Sequence, residues 1–167
     1  PGSLGTITVS PHKLTIKQRR PKAVSNAFDI VKGPDGAMWF IGRRSIERVT
    51  SSWHVTTYRT PGAQPTSLAS SGGWLWFTIG NAVARLSPST GKIYLLQGGY
   101  SKHPHGITPG SHGGVWFIAG GRIDSFSKTL KFHATTVKVS RHGAGEGAPP
   151  QQLAVAPGGV WFTWDKE

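Results

Sequence analysis

The chain has 167 residues, including 23 Gly, 12 Pro, seven Trp and seven Phe. That length can bury one sizeable core, the Gly and Pro would break helices, and the aromatic surface argues against disorder, so a turn-rich all-β domain is expected. No cysteine is present, which excludes disulfides, thiolate nucleophiles and Cys-based metal sites, and 19 Lys+Arg against seven Asp+Glu give a formal charge of +12.

In chain order, Pro1-Gly2-Ser3 reads as the remnant of a protease-cleavage linker, which leaves 4–167 as a single domain. Thr6-Ile7-Thr8-Val9-Ser10-Pro11 aligns with Val83-Ala84-Arg85-Leu86-Ser87-Pro88 further on, and Leu14-Thr15-Ile16 follows as one more strand. A first complete unit then runs through Ile30, the turn Gly33-Pro34-Asp35-Gly36, the pair Trp39-Phe40, then Ile46 and Val49, and the alternating His54-Val55-Thr56-Thr57-Tyr58. The second repeats this as Pro65, Leu68, Ser71-Gly72-Gly73, Trp76-Phe77, Val83, Leu86 and Lys92-Ile93-Tyr94-Leu95-Leu96. The third has Pro104, Ile107, His112-Gly113-Gly114, Trp116-Phe117, Ile123 and Phe126. After the Gly-rich connection Gly143-Ala144-Gly145-Glu146-Gly147 come Pro150, Leu153, Pro157-Gly158-Gly159 and Trp161-Phe162.

The Trp-Phe pairs are spaced 37, 40 and 45 residues apart. Gly-rich turns supply the positive φ that tight hairpins require. Four short strands in about 40 residues are the period and strand count of a β-propeller blade. Trp39, Trp76, Trp116 and Trp161 fall at one blade position and read as structural aromatics between blades. The first residues enter a unit at its third strand, and the last ones supply a first and second strand. The chain therefore reads as three complete blades and one blade split between the termini. Pairing the two halves would close a ring of four blades and cover open strand edges.

Gly33-Pro34-Asp35-Gly36-Ala37-Met38-Trp39-Phe40 followed by Ile46-Glu47-Arg48-Val49 resembles the blade repeat of the virginiamycin B lyase (streptogramin lyase) family. Trp76-Phe77-Thr78 with Val83-Ala84-Arg85-Leu86, and Pro104-His105-Gly106-Ile107 with Trp116-Phe117, repeat the likeness, which extends over about residues 6 to 164. The resemblance implies a seven-bladed propeller, which at about 40 residues per blade needs roughly 280. The chain is then a four-bladed ring, a piece of a larger ring, or half of an eight-bladed dimer.

The resemblance also implies lactone opening by elimination. A divalent metal, Mg2+, is held by Glu residues at the channel mouth, and a His acts in proton transfer. In the family an acidic ligand often follows the Trp-Phe-Thr of a blade; Gly42, Ile79, Ala119 and Trp164 stand there instead, and none offers the hard oxygen that magnesium wants. Of the other acids, Asp35 is a turn residue, Glu47 and Asp124 are expected to face solvent, and Glu146, Asp165 and Glu167 lie in a connection or at the end. Asp29 alone is a plausible inward carboxylate. No metal ligand set is therefore assigned. His105 matches the family's channel-mouth His and is the candidate catalytic residue, or else a loop residue with no ligand. His103, His105, Gly106 and Asp29 are the candidate ligand-binding residues, Gly106 because it would let a ligand approach the backbone.

Three functions follow. The first is a non-catalytic binding or assembly scaffold, with a small-molecule or protein ligand at the channel mouth or self-association, and needing no cofactor. The second is a metal-dependent carbon–oxygen lyase completed by assembly or further blades. The third is a basic scaffold for an anionic partner. The cations are scattered, with only Lys17, Arg19, Arg20 and Lys22 clustered. The apolar runs are too short for a membrane span, no signal peptide is recognised, and a cytoplasmic or exported location stays open.

Overall fold

The structure, a computed structural model, describes residues 3–19, 27–100, 103–135 and 150–164. The connection at residues 143–147, with Glu146, and also Asp165, Glu167, Arg20 and Lys22 lie outside the described residues. Strands β1 (Leu4–Ser10) and β2 (Lys13–Arg19) form a hairpin. The first four-stranded sheet holds β3 (Phe28–Lys32), β4 (Met38–Gly42), β5 (Ser45–Val49) and β6 (Val55–Arg59). The second holds β7 (Pro65–Ser71), β8 (Trp74–Ile79), β9 (Ala82–Leu86) and β10 (Ile93–Leu96). The third holds β11 (His105–Pro109), β12 (Val115–Ala119), β13 (Arg122–Phe126) and β14 (Phe132–Thr135). A last hairpin joins β15 (Pro150–Ala156) to β16 (Gly159–Trp164). All pairings are antiparallel and sequential, as local turns dictate.

Inner strands set the stacking. β7 lies against β3 and β4, β11 against β7 and β8, and β15 against β11 and β12. The second blade thus buries both faces. Trp39, Ile41 and Ile46 of the first blade meet Leu68, Phe77, Ala84 and Leu86 of the second. Ala69, Trp76 and Val83 of the second meet Ile107, Val115, Phe117 and Phe126 of the third. The turns before the tryptophans also touch: a Cβ on Gly72 would stand 2.5 Å from the carbonyl oxygen of Gly113, and both residues have positive φ. Only Gly fits such a backbone approach. Ser71 adds a hydroxyl bond to the Gly114 carbonyl at 2.6 Å.

The two half-blades are present with the expected strand phase, but they are not joined within the chain. β1–β2 and β15–β16 are separate two-stranded sheets. Leu4 of β1 packs on Phe40 and Val49 of the first blade, whereas β15 packs on the third. Of the three arrangements left open by the sequence, the four-bladed ring closed within one chain is not the one seen. The repeated tryptophans diverge accordingly: Trp39 and Trp76 are fully buried, Trp116 is half-buried, and Trp161 is 68% exposed. The expected burial of Trp161 is therefore not met in the single chain, where no following blade stacks on it among the described residues. Among the described residues no helix is long and apolar enough to cross a membrane.

Asp35 ties the first turn to the core. Its Oδ1 accepts the Trp39 indole N–H at 2.8 Å and its Oδ2 accepts the Arg48 Nε–H at 2.5 Å. Partial burial pushes this carboxyl up, but the bonds from Trp39 and Arg48 and the Arg48 charge outweigh it and hold it below the usual carboxylate range. A lowered pKa means that the stabilisation is complete above about pH 4 and is lost as the pH falls through the lowered value. Asp35→Ala leaves the buried Trp39 N–H without its acceptor and should cost about 1–3 kcal/mol at neutral pH. Urea unfolding at neutral and acidic pH checks this: the gap between variant and parent should narrow in acid.

Candidate functional site

Every inner strand begins with a register irregularity: between Phe28 and Ile30, Pro65 and Ser67, His105 and Thr108, and Pro150 and Leu153. Bulges re-aim side chains at strand ends, and the site residues expected from the sequence lie here. The structure puts them to structural use. Asp29, at φ 51°, directs Oδ2 to the backbone N–H of Leu68 in the next blade at 2.6 Å. Desolvation pushes its pKa up, against the opposing Leu68 bond. Ser67, one residue before Leu68 as Asp29 is one before Ile30, does the same work: its Oγ accepts the Ile107 N–H at 3.1 Å. The carboxylate of Asp29 is thus an inter-blade tie on the first blade, while His105 stands on the third.

His103 and His105 are brought together. His105 Nδ1 lies 3.1 Å from the His103 carbonyl and Nε2 lies 3.4 Å from the Pro150 carbonyl. His103, at φ 58°, donates its backbone N–H to Asn81 Oδ1 at 3.3 Å. Both nitrogens of His105 face backbone oxygens; neutral imidazole carries one N–H, so one of the two contacts is a hydrogen bond and the other nitrogen keeps its lone pair. Gly106 is required for another reason than the one expected. Its φ is +58°, and a Cβ there would meet Ile118 Cδ1 at 3.1 Å and the Gln151 carbonyl at 3.3 Å. Ile118 of its own blade and the Gln151 carbonyl of the next crowd that position.

Glu47 and Asp124, expected at the surface, are 2% and 0% exposed. Glu47 Oε1 accepts from Ser45 Oγ at 2.7 Å and Oε2 from Thr57 Oγ1 at 2.6 Å. Asp124 pairs with Arg122 at 3.2 Å. Both lie opposite the Phe of the Trp-Phe pair, Glu47 across from Phe40 and Asp124 across from Phe117. That shared register was readable in the repeat and was the signal for burial.

The positions that would carry family metal ligands do not fit a divalent ion. Gly42, Ile79 and Ala119 offer no donor side chain, and neither does Trp164. Glu47 approaches one of them: a Cβ on Gly42 would stand 2.8 Å from its Oε1. Its two oxygens are taken by hydroxyls. Among the described residues no group of three His, Asp or Glu could hold a metal.

No protein-family model and no curated protein matches the chain. Solved structures do. Selenomethionine-substituted virginiamycin B lyase from Staphylococcus aureus superposes with a TM-score of 0.77 at 26% identity, over 96% of this chain and 56% of that one. A catalytically inactive variant of the same enzyme with quinupristin matches with the same values. A streptogramin B lyase structure gives 0.72 at 22% identity over 89% of this chain and 52% of that one, and at that identity shows the fold alone. The chain thus spans little more than half the length of these structures. It is virginiamycin B lyase-like in fold: a run of β-propeller blades.

Proposed function

We propose that this chain acts as a non-catalytic β-propeller module, a binding or assembly scaffold rather than a lyase. One observation carries the reading. Every acidic side chain among the described residues is engaged in holding the blades: Asp29 by Leu68, Asp35 by Trp39 and Arg48, Glu47 by Ser45 and Thr57, Asp124 by Arg122. Their bonds fix them on separate partners, and among the described residues no three His, Asp or Glu side chains come together as a metal site. The lyase likeness supports the fold and leaves the chemistry to these residues.

Magnesium titration tests the reading. An ion bound only by the folded chain would stabilise it by about 2.7 kcal/mol at 100 times its Kd. Thermal unfolding is expected to give the same Tm with and without millimolar magnesium at matched ionic strength. A saturable rise in Tm, confirmed by one-to-one binding in calorimetry, would overturn the proposal.

A further inference from the structure

Among the described residues the two ends of the blade run carry complementary half-blades. β15–β16 supplies the first two strands of a blade, and β1–β2 occupies the place of the third and fourth, as the alignment of Thr6-Ile7-Thr8-Val9 with Val83-Ala84-Arg85-Leu86 requires. Tryptophan burial follows the stacking neighbour. Trp39 and Trp76 face complete blades and are buried, Trp116 faces only β15–β16 and is half-buried, and Trp161 faces no following blade.

Each end also carries an empty berth. On the third blade a groove of about 460 Å3 runs past Trp116, Ser125 and His133. These three residues are cross-strand neighbours. They face the direction from which missing third and fourth strands would stack. At the other end a groove of about 500 Å3 opens between β1 and the first blade, lined by Phe28, Ile30, Met38 and Phe40. The hairpin β1–β2 pairs Ile7 with Ile16 and Val9 with Leu14, all four exposed on one face. In the second blade the residues at the places of Ile7 and Val9, Ala84 and Leu86, are buried against the first. An exposed apolar face beside an unpaired strand edge is a docking surface.

We infer that the occupant is a second copy of this chain, with β16 of one copy pairing with β1 of the other to complete a shared blade in the order β15, β16, β1, β2. The register follows the second blade, where Leu75, Trp76 and Phe77 pair with Leu86, Arg85 and Ala84. Val160, Trp161 and Phe162 then pair with Val9, Thr8 and Ile7 of the second copy. The apolar stripe of β1–β2 fills the groove at Trp116, and β15–β16 fills the groove at Phe28 and Ile30. Two copies bring three complete blades each and share two composite ones, a ring of eight. That is within the range of propellers, and a two-fold axis closes it without leaving a free edge. The inference extends the scaffold proposal but does not depend on it, because its readout is mass and not metal binding.

Light scattering on the size-fractionated chain at micromolar concentration should give twice the 17.9 kDa chain mass. Ile7→Asp with Val9→Asp should halve it. These residues are 66% and 75% exposed in the single copy, so the variant keeps its fold, which circular dichroism verifies. The chain has no cysteine, so Thr8→Cys with Trp161→Cys adds one cross-linkable pair at a cross-strand distance that suits a disulfide. Oxidation should yield a covalent dimer. A monomer at every concentration would overturn the inference and place the covering strands elsewhere. An internal disulfide within a monomer would overturn it in favour of a four-bladed ring. Open-ended oligomers would overturn the closed ring.

Discussion

Purified chain incubated with a streptogramin B and millimolar magnesium is expected to leave the lactone closed. Elimination needs a base at the abstracted proton and an electrophile for the charge that develops on the leaving oxygen. The chain offers Gly42, Ile79, Ala119 and Trp164 where the resemblance calls for carboxylates. Glu47, which lies beside Gly42, is buried and bonded to Ser45 and Thr57. Loss of a metal electrophile is worth several kcal/mol, which at about 1.4 kcal/mol per tenfold is about three orders of magnitude in rate or more. His105 does not compensate, since a base without its electrophile performs only half of the elimination. A second copy brings the same residues to the same positions, so self-assembly does not restore the ligands. Chromatography of the antibiotic after incubation reads the result. Metal-dependent ring opening that disappears in His105→Ala would refute the non-catalytic reading.

Trp76→Ala should cost about 3–5 kcal/mol, the range for deleting a buried Trp or Phe ring. The ring has no exposed surface. It packs with Val115, Phe117 and Phe126 across the second blade interface, and its Nε1–H donates to the Ser71 carbonyl at 3.0 Å. Deletion opens a cavity between two blades and leaves the Ser71 carbonyl without that bond. Domains of this size are stable by about 5–15 kcal/mol, so the variant should unfold at a much lower urea concentration. Trp161→Ala, made with Ile7→Asp and Val9→Asp so that the ends stay apart, should shift the midpoint little, because that ring is solvent-exposed. Equal losses at the two positions would show that the repeat position, not the stacking neighbour, sets the energy.

Strands, turns and blade phase were legible because they are local. Alternation in His54-Val55-Thr56-Thr57-Tyr58 and positive φ at turn residues such as Gly36 and Gly72 act within a few residues. Spacing alone therefore placed Trp39 and Trp76 at one blade position, and identity alone showed Gly42, Ile79 and Ala119 without carboxylates. Burial was decided by tertiary stacking. A strand on a half-exposed sheet has a solvent face, but a strand between two blades has none, so Glu47 and Asp124, which alternation left free to point outward, are enclosed. The carboxylate of Asp29 is directed by Leu68, 39 residues away in sequence, a partner that no local pattern names. The fate of the two half-blades was settled the same way: their strand order is written in the repeat, but one packs on the first blade and the other on the third, which leaves them as separate sheets with Trp161 exposed.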